Sequence, residues 1–346
     1  MRSVSSAKTA GRLAEIDALR GLGAIGVILY HYTARFPEIF PYADHVPFAF
    51  WPGEYRVLLF FVISGFSIFF SLRHIEGGVD FAVNRFARLF PCYWVAILLT
   101  LMVEWIGGAD RLLVSFASVI VNFTMMQDYF YIPAVDGAYW TLGLELGFYL
   151  SMFVLWRLLG RNLANLEWAL MLWLGVKIFA FYWDGFPWRL ILVLVLEYLP
   201  FFIIGMLFHR IWSGQRSWKE QIPFFAMTLM TVLLVDGQLL FIVACGLVIL
   251  CMLMLGGWLR FLCFGPLLWL GQISYPLYLV HENIGFVIML KSGEAGLNHW
   301  LGFALAISVA MLLAALMHYY VELPFNRRLM NWWQGVKRRD VASVSG

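Results

Sequence analysis

Repeated apolar runs of about twenty residues constrain this chain more than any other feature of its sequence. Ten such runs occupy residues 13–34, 55–73, 91–107, 138–158, 167–184, 187–209, 221–236, 238–257, 265–290 and 299–321. About twenty apolar residues let a helix cross the hydrocarbon core of a bilayer. Composition agrees, because 13% of the 346 residues are charged, whereas a soluble domain has about 25%. The pattern predicts an all-α, polytopic integral membrane protein with about ten transmembrane helices.

The basic residues of the loops predict the orientation of these helices. With the amino terminus inside, 17 of the 24 Lys and Arg residues fall in cytoplasmic pieces and 5 fall outside, which is the bias of cytoplasmic loops. We therefore predict that both termini are cytoplasmic. We also predict one transmembrane domain over 1–346, with short basic tails at 1–12 and 323–346 and no fused extracytoplasmic domain. The apolar segment 112–126 is predicted to be re-entrant or interfacial, because a further span there would break the charge pattern.

Charge and cysteine content exclude other kinds of partner. A net charge of +3 is too small to indicate a surface for nucleic acid. The four cysteines are in or beside apolar runs and form no C-x-x-C pair, so we predict buried thiols rather than metal ligands or disulfides; they are Cys92, Cys245, Cys251 and Cys263. We expect no metal.

The first run, LRGLGAIGVILYHY, carries two ionisable residues, Arg20 and His31. Eleven residues are close to three helical turns, so an α-helix would place both side chains on one face, about 16 Å apart. Ionisable residues inside spans are costly and mark functional paths, and histidine titrates near neutral pH. We favour a proton-transfer role for His31. The alternatives are a snorkelling Arg20 and a histidine that hydrogen-bonds two helices together.

The segment NRFARLFPCYW places Arg85 and Arg88 three residues apart, on one face if the segment is helical. Such a pair can clamp a phosphate, but it can equally be a basic stop signal at the cytoplasmic surface. In FFVISGF, Ser64 has no G-x-S-x-G elbow around it. Close helix packing at Ser64 and Gly65 is therefore favoured over a nucleophile.

Three further segments place carboxylates or a second histidine in apolar surroundings. GAYWTLGLELGFYL carries Glu145, GQISYPLYLVHENI carries Ser274, His281 and Glu282, and VELPFNRR carries Glu322. A buried carboxylate is paired or protonated, so Glu145 could orient a histidine or hold a substrate hydroxyl, and a structural ion pair is the alternative. His281 is a second candidate proton carrier or a packed histidine.

Six of these segments together resemble the membrane-bound acyltransferase 3 family, in family order and over about residues 13–324. They are LRGLGAIGVILYH, FFVISGF, RFARLFPCYW, YWTLGLELGFY, ISYPLYLVHE and VELP. The resemblance implies transfer of an acyl group, often acetyl from a coenzyme A thioester, to a sugar hydroxyl of a glycan at or across the membrane. It is closest to stand-alone members that modify exopolysaccharide, and it implies a bacterial cytoplasmic membrane.

The resemblance also implies roles for individual residues. The family's arginine–histidine pattern falls on Arg20 and His31, its arginine pair on Arg85 and Arg88, its middle motif on Trp140 and Glu145, and its late motif on Tyr278 and His281. We expect His31 and Glu145 to be catalytic. We expect Arg20, Arg85 and Arg88 to bind acetyl-coenzyme A as donor. The acceptor, a glycan or a lipid-linked oligosaccharide, would contact Ser64, Trp140, Tyr278, His281 and Glu322.

Two mechanisms and a second class of function remain open from the sequence. In direct transfer, His31 takes the proton of the attacking hydroxyl as general base; in a ping-pong route, His31 or Ser64 carries the acyl group first. The alternative class is a proton-coupled transporter that uses Arg20, His31, Glu145 and His281 as its path. Paired arginines suit a phosphate-rich donor, and no internal repeat favours the transporter plan.

Overall fold

The computed structural model describes residues 13–72, 75–160 and 163–344; the predicted tail at 1–12 lies outside them. Regular structure in this part of the chain is helical, which confirms the all-α prediction. The α-helices are α1 Ala14–Tyr30, α2 Phe36–Ile39, α3 Arg56–Leu72, α4 Gly78–Gly107, α5 Phe116–Asn122, α6 Trp140–Leu158, α7 Leu166–Tyr182, α8 Trp188–Val193, α9 Leu199–Trp212, α10 Trp218–Thr231, α11 Gln238–Leu255, α12 Gly265–Gln272, α13 Ser274–Val280, α14 Glu282–Glu294, α15 His299–Met317 and α16 Leu323–Val344.

Short segments of other helical types join several of these helices. Three are π-helical, His31–Arg35, Val232–Asp236 and His318–Glu322. Four are 3-10 turns, Trp51–Gly53, Gln127–Phe130, Gly137–Tyr139 and Arg260–Leu262. A π-helical turn holds one more residue than an α-helical turn and is frequent at functional sites.

In the described ranges, five helical segments are long and apolar enough to cross a membrane, judged by length and composition. They are Trp51–Leu72, Gly78–Gly107, Gly137–Leu158, Gln238–Leu255 and His299–Arg338. The chain is therefore a multi-pass membrane protein, while the count of ten spans and the cytoplasmic termini stay predictions. Two predicted runs are interrupted: 187–209 covers α8 and most of α9, and 265–290 covers α12, α13 and most of α14. With seven residues, α5 is too short to span.

Side-chain caps begin several helices and explain where they start. Ser217 and Glu220 form a reciprocal capping box at the start of α10, and the side chain of Asn298 accepts from the N–H of Trp300 at 2.8 Å before α15. Asp136 accepts from the N–H of Ala138 at 2.9 Å and starts the turn that leads into α6. These side chains satisfy N–H groups that have no partner within the helix.

The described residues divide into two compact units, and the first comprises 13–23, 54–70 and 144–272. In it, α3 and α9 cross in backbone contact, because a Cβ atom on Gly65 would overlap the carbonyl of Phe202 and one on Gly205 would overlap that of Val62. Small residues permit such close crossings in membrane helices. Gly65 in the motif FFVISGF is therefore a packing residue.

The break between α8 and α9 in the first unit leaves carbonyl groups without helical partners. Ser151 donates to the carbonyl of Val193 at 3.1 Å, Trp173 to that of Leu194 at 3.0 Å, and Lys177 to that of Glu197 at 2.9 Å. Irregular backbone at membrane depth requires such partners. Lys177 also pairs with Asp236 at 2.8 Å, so each of these charges has an ionic partner.

The second unit comprises 24–53, 71–143 and 273–344 within the described part of the chain. Here α13 and α14 pack on α15 and α4. Pro91 lies inside α4 and cannot donate a helical hydrogen bond, and nearby the hydroxyl of Tyr275 donates to the carbonyl of Leu89 at 2.7 Å. A hydrogen bond attaches the amphipathic α16 to α4, because Trp333 donates to Asp80 at 2.6 Å.

Candidate functional site

His31 is the first residue of the π-helical segment that follows α1, and it belongs to the second unit. Its side chain is 15% exposed, and its Nδ1 lies 3.0 Å from Oε2 of Glu282, whose side chain is 5% exposed. The ring is not aligned with the carboxylate as a hydrogen bond requires. The separation of Nδ1 and Oε2 lies within the range of a catalytic histidine–carboxylate pair.

His281 joins α13 to α14 and is fully buried. Its Nδ1 lies 2.7 Å from the carbonyl of Tyr278. A carbonyl can only accept, so Nδ1 carries the hydrogen of the neutral ring and Nε2 keeps its lone pair. Nε2 is buried and has no hydrogen-bond partner in the described residues. The ring centroid lies 4.8 Å from that of His31, so two imidazoles share one buried pocket.

Tyr32 fixes the π-helical segment to the helices that carry His281. It is fully buried, and its hydroxyl donates to the carbonyl of His281 at 2.6 Å. Gly285 leaves the space for this ring, because a Cβ atom there would overlap the phenol of Tyr32. His31, the residue before Tyr32, is thereby held at a defined position relative to His281.

The Glu282 carboxylate is in turn supported by the 3-10 turn before α6. A Cβ atom on Gly137 would overlap Oε1 of Glu282, so a larger residue there would displace the carboxylate from its present position. Asp136, one residue earlier, accepts the backbone N–H of Asn283 at 3.0 Å. The side-chain amide of Asn283 donates to Glu104 at 2.7 Å and to the carbonyl of Val135 at 2.9 Å.

Asp136 itself is fully buried. Burial, and next the nearby Glu282 carboxylate, raise the pKa of the Asp136 carboxyl well above its ordinary range, although the N–H groups of Ala138 and Asn283 oppose that rise. The Asp136 carboxyl is therefore easier to protonate than an exposed aspartate.

Two predicted acceptor residues lie near the same turn. The hydroxyl of Tyr278 donates to the carbonyl of Ala138 at 2.8 Å and lies 2.8 Å from the hydroxyl of Thr141. Trp140, the first residue of α6, is 37% exposed. Tyr278 contacts His281, and His281 contacts His31. Trp140 follows the Ala138 turn in sequence.

The predicted phosphate pair, Arg85 and Arg88, lies on one helix, α4, in the second unit. Arg85 is 5% exposed; it donates to the hydroxyl of Ser71, and its guanidinium lies 5.5 Å from the ring centre of Phe81. Arg88 is half-buried. Ser71 and Phe81 hold the planar guanidinium of Arg85 in a fixed orientation, which suits bidentate binding of an anion.

Three predicted residues belong to the first unit. Arg20 lies 3.8 Å from Asp17 and 3.5 Å from the hydroxyl of Ser67. Ser64 donates to Oε1 of Glu145 at 3.2 Å, and the hydroxyl of Tyr149 donates to the same oxygen. Glu145 is thus held by two hydroxyl groups of its own unit.

Glu322 ends the π-helical segment before α16 in the second unit. Its Oε2 lies 2.7 Å from Nδ1 of His318. Among the described residues, Glu322 therefore pairs with His318, one helical turn earlier in the chain.

Residues around the His31–Glu282 pair that were not predicted from the sequence include Tyr32, Gly285, Glu104, Asp136, Gly137 and Asn283. One signal was present, because Glu104 is an ionisable residue inside the predicted span 91–107, and such residues are functional candidates. The described residues contain no group of three His, Cys, Asp or Glu side chains that could hold a metal ion.

The comparison with protein families agrees with this geometry. The model of the family described as an acyltransferase domain matches residues 13–319, which include every predicted site residue except Glu322. No curated protein and no solved structure matches the chain. The chain therefore belongs to the acyltransferase 3 family of membrane acyltransferases.

Proposed function

We propose that this chain is an O-acyltransferase of a bacterial cytoplasmic membrane. It transfers an acyl group, acetyl in this proposal, from acyl-coenzyme A to a sugar hydroxyl. The acceptor is a cell-surface or exopolysaccharide glycan, or its lipid-linked precursor. Family membership supports acyl transfer, and the observation that carries the chemistry is the buried contact of His31 with Glu282.

In the proposed reaction His31 is the general base. The Glu282 carboxylate favours hydrogen on Nδ1 of His31, which leaves the lone pair on Nε2. Nε2 takes the proton of the sugar hydroxyl while the hydroxyl oxygen attacks the thioester carbonyl. The carbon–sulfur bond then breaks, and the imidazolium returns the proton to the coenzyme A thiolate. General base catalysis contributes about 10²–10⁴-fold to such a step.

In this proposal Glu282 takes the orienting role that we expected of Glu145 from the sequence. The contacts of the three carboxylates support this assignment. Glu282 lies beside His31, whereas Glu145 accepts hydrogen bonds from Ser64 and Tyr149, and Glu322 pairs with His318. A carboxylate beside a catalytic histidine sets its tautomer and stabilises the imidazolium that forms. A direct role of Glu145 in catalysis stays a prediction.

The donor-binding residues in this proposal are Arg85 and Arg88 of the second unit, and a donor-binding role of Arg20, in the first unit, stays a prediction from the sequence. Coenzyme A is rich in phosphate, and guanidinium groups bind phosphate through two parallel hydrogen bonds. The fixed guanidinium of Arg85 supports this role. On the acceptor side, the buried Nε2 of His281 can accept a hydrogen bond from a sugar hydroxyl, and Tyr278 and Trp140 offer aromatic surface.

The test is an assay with the purified full chain in sealed lipid vesicles. The vesicles receive radiolabelled acetyl-coenzyme A and envelope glycan from the cells that carry this chain, with and without an ionophore that collapses pH gradients. We expect covalent label on the glycan in both conditions and none with empty vesicles. Label that accumulates inside vesicles only under a gradient, with none bound to glycan, would instead establish the transporter.

A further inference from the structure

Glu104 is a fully buried carboxyl group on α4 that the reaction above does not use. Its Oε1 accepts a hydrogen bond from the side-chain amide of Asn283 at 2.7 Å. Its Oε2 is also buried and has no hydrogen-bond partner among the residues that the structure describes. An ionised carboxylate offers about four acceptor positions. In this environment Asn283 occupies one of them.

The surroundings of Glu104 contain carboxyl groups rather than cations. The described residues include no ion pair to Glu104. Asn283 forms hydrogen bonds with both Glu104 and Asp136. Gly137, which follows Asp136, lies against the Glu282 carboxylate. A buried anion without a paired cation is strongly destabilised. A neutral acid avoids that destabilisation, and Oε2 has the free position that the proton would occupy.

Asn283 connects Glu104 to the catalytic pair. It immediately follows Glu282 in α14 and donates three hydrogen bonds. Its side-chain amide donates to Glu104 and to the carbonyl of Val135, and its backbone N–H donates to Asp136. The start of α14 therefore depends on the acceptor supplied by Glu104. Loss of that acceptor would release one side of Asn283 and allow the neighbouring Glu282 to move.

We propose that Glu104 is a neutral carboxylic acid that acts as a positioning residue, holding Glu282 against His31 through Asn283. The role in positioning rests on the proposed function of His31, whereas the protonation of Glu104 does not.

The protonation is tested by infrared spectroscopy of the full chain in lipid, with isotopically labelled glutamate to separate its bands from those of aspartate and lipid esters. We expect the carbonyl-stretch band of a protonated glutamic acid in the wild type, lost in Glu104→Gln and kept in Glu294→Gln. Glu294 is the matched control because it is an exposed glutamate, paired with Lys291. A spectrum unchanged by Glu104→Gln would overturn the proposal.

Kinetics test the positioning. Glutamine reproduces the neutral acid, so Glu104→Gln should keep kcat within about threefold of the wild type. Glu104→Met fills similar volume without the acceptor, and a misplaced catalytic group costs on the order of 10²-fold in rate. We therefore expect about that loss of kcat in Glu104→Met, with the KM for acetyl-coenzyme A unchanged.

The outcomes separate the two claims. Wild-type kcat in Glu104→Met, together with loss in His31→Ala, would overturn the positioning role while the proposed function stands. A wild type that transfers no acetyl group would overturn the proposed function and, with it, the positioning role, and the infrared result would still decide the protonation. If Glu104→Met does not fold, the activity of Glu104→Gln decides instead, since an ionised, essential Glu104 predicts its loss.

Discussion

The Nδ1 atom of His31 lies 3.0 Å from Oε2 of Glu282. The two side chains come from a π-helical segment and from the first residue of α14, 251 positions apart in the sequence. Tyr32 and Gly285 hold these elements together, and Gly137 leaves room for the carboxylate. We expect each of these contacts to affect the rate of acyl transfer.

Replacement of Glu282 by glutamine keeps the shape of the side chain and removes its charge. The imidazolium would lose its stabilising anion and the ring its preferred tautomer, so we expect kcat to fall about 10²–10⁴-fold. The measurement is acetyl transfer by the reconstituted variant, with a thermal melt to verify folding. Glu294→Gln, an exposed change on the same helix, should leave kcat unaltered. A fully active Glu282→Gln would remove Glu282 from the mechanism.

Gly137→Ala introduces one methyl group against the Glu282 carboxylate. The backbone of Gly137 does not have positive φ, so alanine is sterically strained only by that contact. Overpacking costs about 1–3 kcal/mol, and displacement of Glu282 should lower kcat on the order of 10²-fold. Gly293→Ala is the control, because nothing lies within 4 Å of its added Cβ. Equal activity of the two variants would argue against a tight fit around Glu282.

Ser64→Ala tests whether Ser64 carries the acyl group. Its hydroxyl donates to Glu145 at 3.2 Å, and Tyr149 donates to the same oxygen, so one donor remains after the substitution. We expect kcat within about threefold of the wild type and a loss of about 1 kcal/mol in unfolding free energy. Ser308→Ala, at an exposed serine of α15, is the control. Mass spectrometry that finds acetyl on Ser64 in the wild type, with an inactive Ser64→Ala, would favour the ping-pong route.

Trp333→Phe tests the attachment of α16 to α4. The substitution removes the N–H that donates to Asp80 at 2.6 Å, in a site where Asp80 is 7% exposed. A hydrogen bond to a charged group contributes about 1.5–3 kcal/mol, and the thermal melt should shift down accordingly. Trp332 is 60% exposed, so Trp332→Phe should melt like the wild type. Coincident melts for both variants would mean that this bond adds no stability.

Hydropathy was enough to predict the apolar helices but not α16, whose 22 residues fall in the predicted tail at 323–346. Each of the ten predicted runs contains helix in the structure, because apolar length alone decides whether a segment is helical in a membrane. The breaks within 187–209 and 265–290 were not predictable in this way. They depend on donors such as Trp173 and Lys177, which reach the freed carbonyls from other helices.

The candidate site was predicted in part. Motif order identified His31, Tyr278 and His281, and the structure places their side chains in contact through His281. The partner of His31 was not identified, because Glu282 follows His281 directly and sequence cannot tell which of two adjacent helical residues faces a third. Glu104 and Asp136 meet Asn283 across 179 and 147 positions, and no local pattern indicates such contacts.

The most direct test of the account is the rate of acetyl transfer by His31→Ala. The control is His45→Ala, at an exposed histidine of the same unit. Both variants are reconstituted at equal amounts and supplied with labelled acetyl-coenzyme A and envelope glycan. Because His31 is the general base in the proposed mechanism, we expect the rate of acetyl transfer to fall about 10²-fold or more in His31→Ala. We expect an unchanged rate in His45→Ala. Transfer by a folded His31→Ala at the wild-type rate would contradict the account.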